Sequence, residues 1–262
     1  MKTKTKVWLI MAAFLIIAGI ILFAAVMMQN AWDFDSLSTE KYETNSYNIT
    51  DDFHSLSVNT DTADVIILPS DDSACRVECY ESEGNNHMVT VSDSTLMITS
   101  AEGKSWYDNI GISFSSPKIT VYFPEKEYSS LTINESTGDI SVSDLVFDGD
   151  IEISVSTGEM QLSDVFCNDL ISDGSTGEVA LKNVIAEGKF YIERSTGSVK
   201  FDGADAGEIF VETDTGSITG TLLSDKVIFA ETDTGKIDVP NLTTGGKCEL
   251  ITDTGDIKVS IK

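Results

Sequence analysis

Basic residues, histidines, prolines and paired cysteines are all scarce in this chain, and each shortage closes off a class of function. Against 43 Asp and Glu the 262 residues set only 17 Lys and Arg, a formal charge of −26. Such a surface repels nucleic acid and anionic headgroups. The only histidines are His54 and His87, and the four cysteines include no C-x-x-C, so the spacing contains no zinc or redox motif. Cys75 and Cys79 share the alternating stretch CRVEC, where four residues of strand span roughly 13 Å, beyond the reach of a disulfide. Cys167 and Cys248 are isolated. With four prolines and no helical apolar period after the N-terminal run, the bulk of the chain reads as all-β. A hydrophobic fraction of 41% argues against disorder despite the charge.

Long apolar runs are also rare, and the one present stands out. Val7 to Met28 carries no charge, follows Lys2, Lys4 and Lys6, and precedes the first acidic residue, Asp33. It is long enough to cross a hydrocarbon core of about 30 Å as a helix. Lysines on its N-terminal side orient that end to the cytoplasm and the remainder outside. The run exceeds the usual signal-peptide core, AAVMMQNAWDF lacks a clean cleavage site, and no Cys lies near for a lipid anchor. The expectation is a single-pass protein of the cell membrane. Residues 1–28 would be cytoplasmic lysines and anchor, and residues 29–46 a polar stalk.

What is abundant is one word. Thr-Gly recurs at Thr137, Thr157, Thr176, Thr196, Thr215, Thr234 and Thr254, in steps of 19 or 20 residues. Six and four residues before each Thr, and three, five and eight after it, the columns are apolar, with Ser172 and Gly220 the main exceptions. Offsets of −6, −4, +3 and +5 are the two-residue period of strands with one buried face. Each repeat therefore reads as strand, Thr-Gly corner, strand and a turn. A hairpin array would favour Asn-Gly or Asp-Gly turns and would not hold its period so closely. A parallel β-solenoid, or β-helix, with 19–20-residue coils must do so, because equivalent residues stack about 4.8 Å apart.

The solenoid is expected over residues 125–262, preceded by a looser β block at 47–124 that caps one end and includes the repeat-like TDTAD, with Ala63 in the glycine position. The last strand, DIKVSIK, is expected to be the distal edge, its Lys258 and Lys262 discouraging further strand addition.

The lysine-led span, TDTAD, and then serial STGD, STGE and TDTG words followed by I-x-V resemble the bacterial envelope proteins of the DUF4097 family, grouped as adhesins. The resemblance covers nearly the whole exported chain and implies a cell-surface β-solenoid, sometimes associated with envelope-stress signalling, with no established catalytic residues. The functional expectation is thus a membrane-anchored, extracytoplasmic, non-catalytic binding or structural module without a cofactor. Its partners would be the membrane, through the N-terminal helix, and a protein or cell-surface ligand, with nucleic acid excluded by charge. A regulatory accessory of a membrane envelope-stress sensor is the alternative.

Two sets of residues are candidate sites. The residue before the repeated Thr changes from Ser to Asp at Asp214, Asp233 and Asp253, which a solenoid would align into a column able to offer oxygens to Ca²⁺. The competing reading is that each Asp merely serves its own corner. Trp106 and Tyr107 in SWYDN form the one loop pairing two large aromatics, a candidate partner contact. A polysaccharide-active β-helix enzyme is the least favoured reading. The acids follow the repeat, and only Lys182, Lys189, Arg194 and Lys200 cluster among the basic residues.

Overall fold

The computed structural model describes residues 3–32, 41–71, 74–83, 86–100, 116–124 and 126–262. Helix α1 spans Thr3–Gln29, and its apolar portion Thr5–Gln29 is long and apolar enough to cross a membrane. Twenty-five residues at about 1.5 Å each give about 37 Å.

The rest is β-structure. The first seven strands are β1 (Tyr42–Ile49), β2 (Ser55–Thr62), β3 (Asp64–Pro69), β4 (Cys75–Ser82), β5 (His87–Ser92), β6 (Thr95–Ser100) and β7 (Lys118–Phe123). The repeat contributes β8 (Ser130–Thr137), β9 (Ile140–Val146), β10 (Ile151–Thr157), β11 (Met160–Cys167), β12 (Leu170–Thr176), β13 (Val179–Lys182) and β14 (Ile185–Thr196). It continues through β15 (Val199–Thr215), β16 (Ile218–Leu222), β17 (Lys226–Thr234), β18 (Ile237–Asp238), β19 (Gly246–Thr254) and β20 (Ile257–Ile261). Strand β1 lies across the expected stalk boundary at 46/47, and the sheet begins with it.

Strands before the corner pair in parallel with one another, as do strands after it, with the repeated threonines in register: Thr137 faces Thr157, and Thr157 faces Thr176. Corner glycines from Gly138 to Gly216, and Gly255, donate the N–H to the threonine carbonyl of the neighbouring coil, as in Gly158 to Thr176 and Gly177 to Thr196, both 2.9 Å. The space explains the glycine. Gly177 has φ +139°, and a Cβ there would land on the carbonyl oxygen of Gly158. The residue after the glycine continues the ladder: Asp64 Oδ1 accepts the N–H of Asp139, Asp139 Oδ1 that of Glu159, and Asp256 Oδ1 that of Lys236. Inward columns such as Leu131, Ile151, Leu170 and Phe190 are fully buried. At the +8 column one expectation shifts by a residue: Leu222, not Leu223, pairs with Ala204 and is buried.

The order of coils departs from the order of the sequence at both ends. The TDTAD coil, β2–β3, stacks on β8–β9, but its other side is covered by β6 and β7, which are later in sequence. Antiparallel strands β4 and β5, and then β1, extend that end. At the opposite end β19–β20 inserts between β15–β16 and β17–β18. The expectation that DIKVSIK forms the distal edge is therefore incorrect: β17–β18 is the edge.

Cys248, Leu250, Ile257 and Val259 of the inserted coil are all buried, whereas Phe229 and Ile237 of the edge coil are 56% and 48% exposed. The edge coil pairs through β19 and β20, and Phe229 lies on its outward face opposite Glu249. Lys226 of β17 reaches across Gly246 of the inserted strand to Asp205 in β15, with Nζ 2.6 Å from Oδ1 and the lysine side chain 3% exposed.

Candidate functional site

The residue two before each corner Thr points inward and forms a column that is not uniformly apolar. In stack order it reads Thr60, Glu135, Val155, Gly174, Arg194, Thr213, Thr252 and Thr232. The later threonines stitch neighbouring coils together. Thr213 Oγ1 donates to Gly197 O, Thr252 to Gly216 O and Thr232 to Gly255 O, at 2.8 to 3.0 Å. Arg194 is buried with neutral partners: its guanidinium packs beside Gly174, donating to Ser172 Oγ at 2.8 Å and Glu193 O at 2.7 Å. Ser172, the polar exception in its apolar column, is thus the acceptor for a buried cation. Burial pulls the Arg194 guanidinium down to about 10, partly offset by the Asp173 charge.

Outside this corner lies an open groove lined by Ser154, Ser156, Ser175 and Ser195 and flanked by Asp173, Glu193, Glu212 and Asp214. Beside it runs the outward column Ile171, Tyr191, Phe210, Glu249 and Phe229. Tyr191 and Phe210 stack with centroids 4.9 Å apart at 15°. The tyrosine hydroxyl donates to Glu193 Oε1 at 2.6 Å, which with burial and nearby carboxylates raises its pKa. The face combines partly exposed aromatic rings with carboxylates, the surface chemistry that suits a ligand with apolar planes and cationic or hydroxyl groups.

Asp214, Asp253 and Asp233 are exposed and occupy one register position in that stack order, Asp253 lying between the other two because its coil is the inserted one. Trp106 and Tyr107 lie outside the described residues. The basic residues do not converge: Lys200 pairs with Glu178 at 2.7 Å and Lys189 with Asp169 at 3.8 Å, while Arg194 turns inward.

Sequence reasoning missed the aromatic column, whose members lie 19 or 20 residues apart at offset −5, and a polar cluster in the antiparallel end. There His87 Nδ1 is 2.7 Å from Glu81 Oε2, His87 Nε2 is 3.1 Å from Thr60 Oγ1, and Asn45 Nδ2 donates to Glu81 Oε1 at 2.8 Å. Glu135, in the same inner corner as Thr60, accepts the N–H groups of Ala63 and Thr137 through Oε1, both at 3.2 Å. Its Oε2 is buried without a partner among the described residues, and burial pushes the carboxyl up to about 7.

A family model described as Toastrack DUF4097 matches residues 53–262. Among solved structures, a Bacteroides fragilis protein named "putative adhesin" is similar at 18% identity and TM-score 0.57, covering 85% of this chain and 97% of its own. A "putative adhesin" of Parabacteroides distasonis aligns at 13% identity and TM-score 0.45, covering 84% and 98%. A "putative lipid binding protein" of the same organism aligns at 15% and 0.39, covering 86% and 98%. The first likeness shows the fold. No curated protein matches.

Proposed function

From the premise that this chain belongs to the Toastrack DUF4097 family, we propose that it is a membrane-anchored, adhesin-like binding module, non-catalytic and displayed outside the cell. The observation that carries this reading is the Tyr191–Phe210 stack on the outer sheet, set between Glu193, Glu212 and Glu249 and continued by Ile171 and Phe229. A rigid parallel ladder holds these side chains at a fixed spacing of about 4.8 Å, so a partner meets a preorganised surface with little ordering cost. The apolar helix α1 supports the anchoring, and the proteins named as adhesins support the class of activity. The partner fitted by this surface is a cell-surface molecule presenting apolar planes beside basic or hydroxyl groups.

The test displays the full-length chain in vesicles and measures adhesion to isolated envelopes of neighbouring cells. A Tyr191→Ser, Phe210→Ser double variant should lose at least roughly tenfold in adhesion while retaining its fold, since both rings lie on the outer face of the sheet and not in the core. Undiminished adhesion of a folded double variant would remove this face from the reading.

A further inference from the structure

Three side chains of different donor type converge in the antiparallel end of the stack. Cys79 and Glu81 alternate on β4 and so project from the same face, and His87 opens β5 beyond the connecting turn. All three residues are buried, at 0%, 1% and 7% exposure, and one ligand atom from each lies within 4.8 Å of the other two. We propose that Cys79, Glu81 and His87 form a metal site, and that the ion fitting its S, O and N donors is Zn²⁺.

Each polar donor already commits its far atom to a second partner. His87 Nε2 meets Thr60 Oγ1 at 3.1 Å, and Thr60 Oγ1 accepts from Ser100 Oγ at 3.1 Å. Glu81 Oε1 is held by Asn45 Nδ2 at 2.8 Å. Nδ1 and Oε2 face each other at 2.7 Å, with Oε2 also accepting the His87 backbone N–H at 2.6 Å and the Cys79 thiol beside them. Such outer contacts orient metal ligands: without an ion Nδ1–H donates to Oε2 and Nε2 accepts from Thr60, whereas an ion bound at Nδ1 leaves Nε2–H to donate to Thr60 Oγ1.

Charge gives the same answer. A lone carboxylate in this site is a buried negative charge, whereas Zn²⁺ with one carboxylate, one thiolate and a neutral imidazole sums to zero. Binding moves the imidazole proton from Nδ1 to Nε2 and releases the thiol proton to solvent, so uptake strengthens with pH. Imidazole, thiolate and carboxylate favour Zn²⁺ over Ca²⁺ or Mg²⁺. Opening the 2.7 Å contact by somewhat under 1 Å admits an ion with bonds of about 2.0 to 2.3 Å.

The test strips full-length chain in detergent micelles with a chelator and titrates it with Co²⁺ as a spectroscopic stand-in for Zn²⁺. One equivalent should produce a thiolate-to-Co²⁺ charge-transfer band, displaced by Zn²⁺, and Zn²⁺ should raise the melting temperature. Cys79→Ser should abolish the band, and Asn45→Ala should weaken affinity about 10- to 100-fold. Because Cys79→Ser could fail to fold, a chain keeping Cys79 as its sole cysteine, with Cys75, Cys167 and Cys248 changed to Ala, is the companion and should retain the band. No band in the folded parent chain, a band surviving Cys79→Ser, or its loss from a folded sole-cysteine chain overturns the proposal.

Discussion

Glu135→Gln isolates one buried carboxyl with almost no change of shape. Glu135 is 5% exposed and sits where the TDTAD coil meets the first STG coil, its Oε1 accepting from Ala63 and Thr137. Burial pushes its carboxyl from an ordinary 4.5 up to about 7, against the pull of those two N–H groups. A folded-state value above the unfolded one means that the native protein holds this proton more tightly between pH 4.5 and 7. Stability therefore falls as pH rises across that window and levels off above it. The shift corresponds to roughly 3 kcal/mol lost by alkaline pH.

Glutamine cannot ionise and keeps the Oε1 acceptor, but its amide NH₂ replaces an oxygen without a partner among the described residues, at a cost of about 1 kcal/mol. The variant should thus be about 1 kcal/mol less stable than the parent near pH 4.5 and about 2 kcal/mol more stable near pH 8. Urea denaturation of both full-length chains in micelles, followed by circular dichroism at several pH values, gives the difference directly, and the titration of all other groups cancels. A difference that stays flat with pH, or that turns against the variant as pH rises, would refute the assignment of a buried, proton-holding carboxyl.

Other outcomes follow from the same geometry. Gly177→Ala should cost at least about 3 kcal/mol, because φ +139° is strained for alanine and the new Cβ meets the Gly158 carbonyl; thermal melts against Gly19→Ala, where no atom lies within 4 Å, check it. Lys226→Met should destabilise by about 3 kcal/mol in urea titrations by leaving Asp205 without its cation, and Asp205→Asn in the same background should recover part of that loss. In hydrogen exchange, Cys248 to Ile251 should match the protection of β15, while the amides of β17 that face away from β19 exchange first, although β17 precedes β19 in sequence.

Much of this architecture is legible in one dimension because parallel stacking copies a column of side chains into a period. The 19–20-residue Thr-Gly word, the apolar offsets at −6, −4, +3 and +5, and the charge-free run at Val7 to Met28 each reflect a local rule, and the structure agrees with them. What periodicity cannot carry is which coil lies against which. A parallel strand fits equally well on either side of its neighbour, so the insertion of β19–β20 and the covering of β2–β3 by β6 and β7 depend on contacts distant in sequence, such as Lys226 with Asp205.

The sites divide the same way. Asp214, Asp233 and Asp253 were visible because they ride on the repeat, but their order in space was not. His87 looked isolated, and Cys79-x-Glu81 looked like ordinary strand alternation. The spacing that brings them together is set by the antiparallel pairing of β4 and β5 with neighbours from other parts of the chain. By itself the sequence determined the repeat, the corner chemistry and the N-terminal apolar helix, since these follow from residues a few positions apart. Only the tertiary structure decided the order of the coils, the buried Cys-Glu-His cluster and the aromatic face, because each depends on residues whose separation in space bears no relation to their separation along the chain.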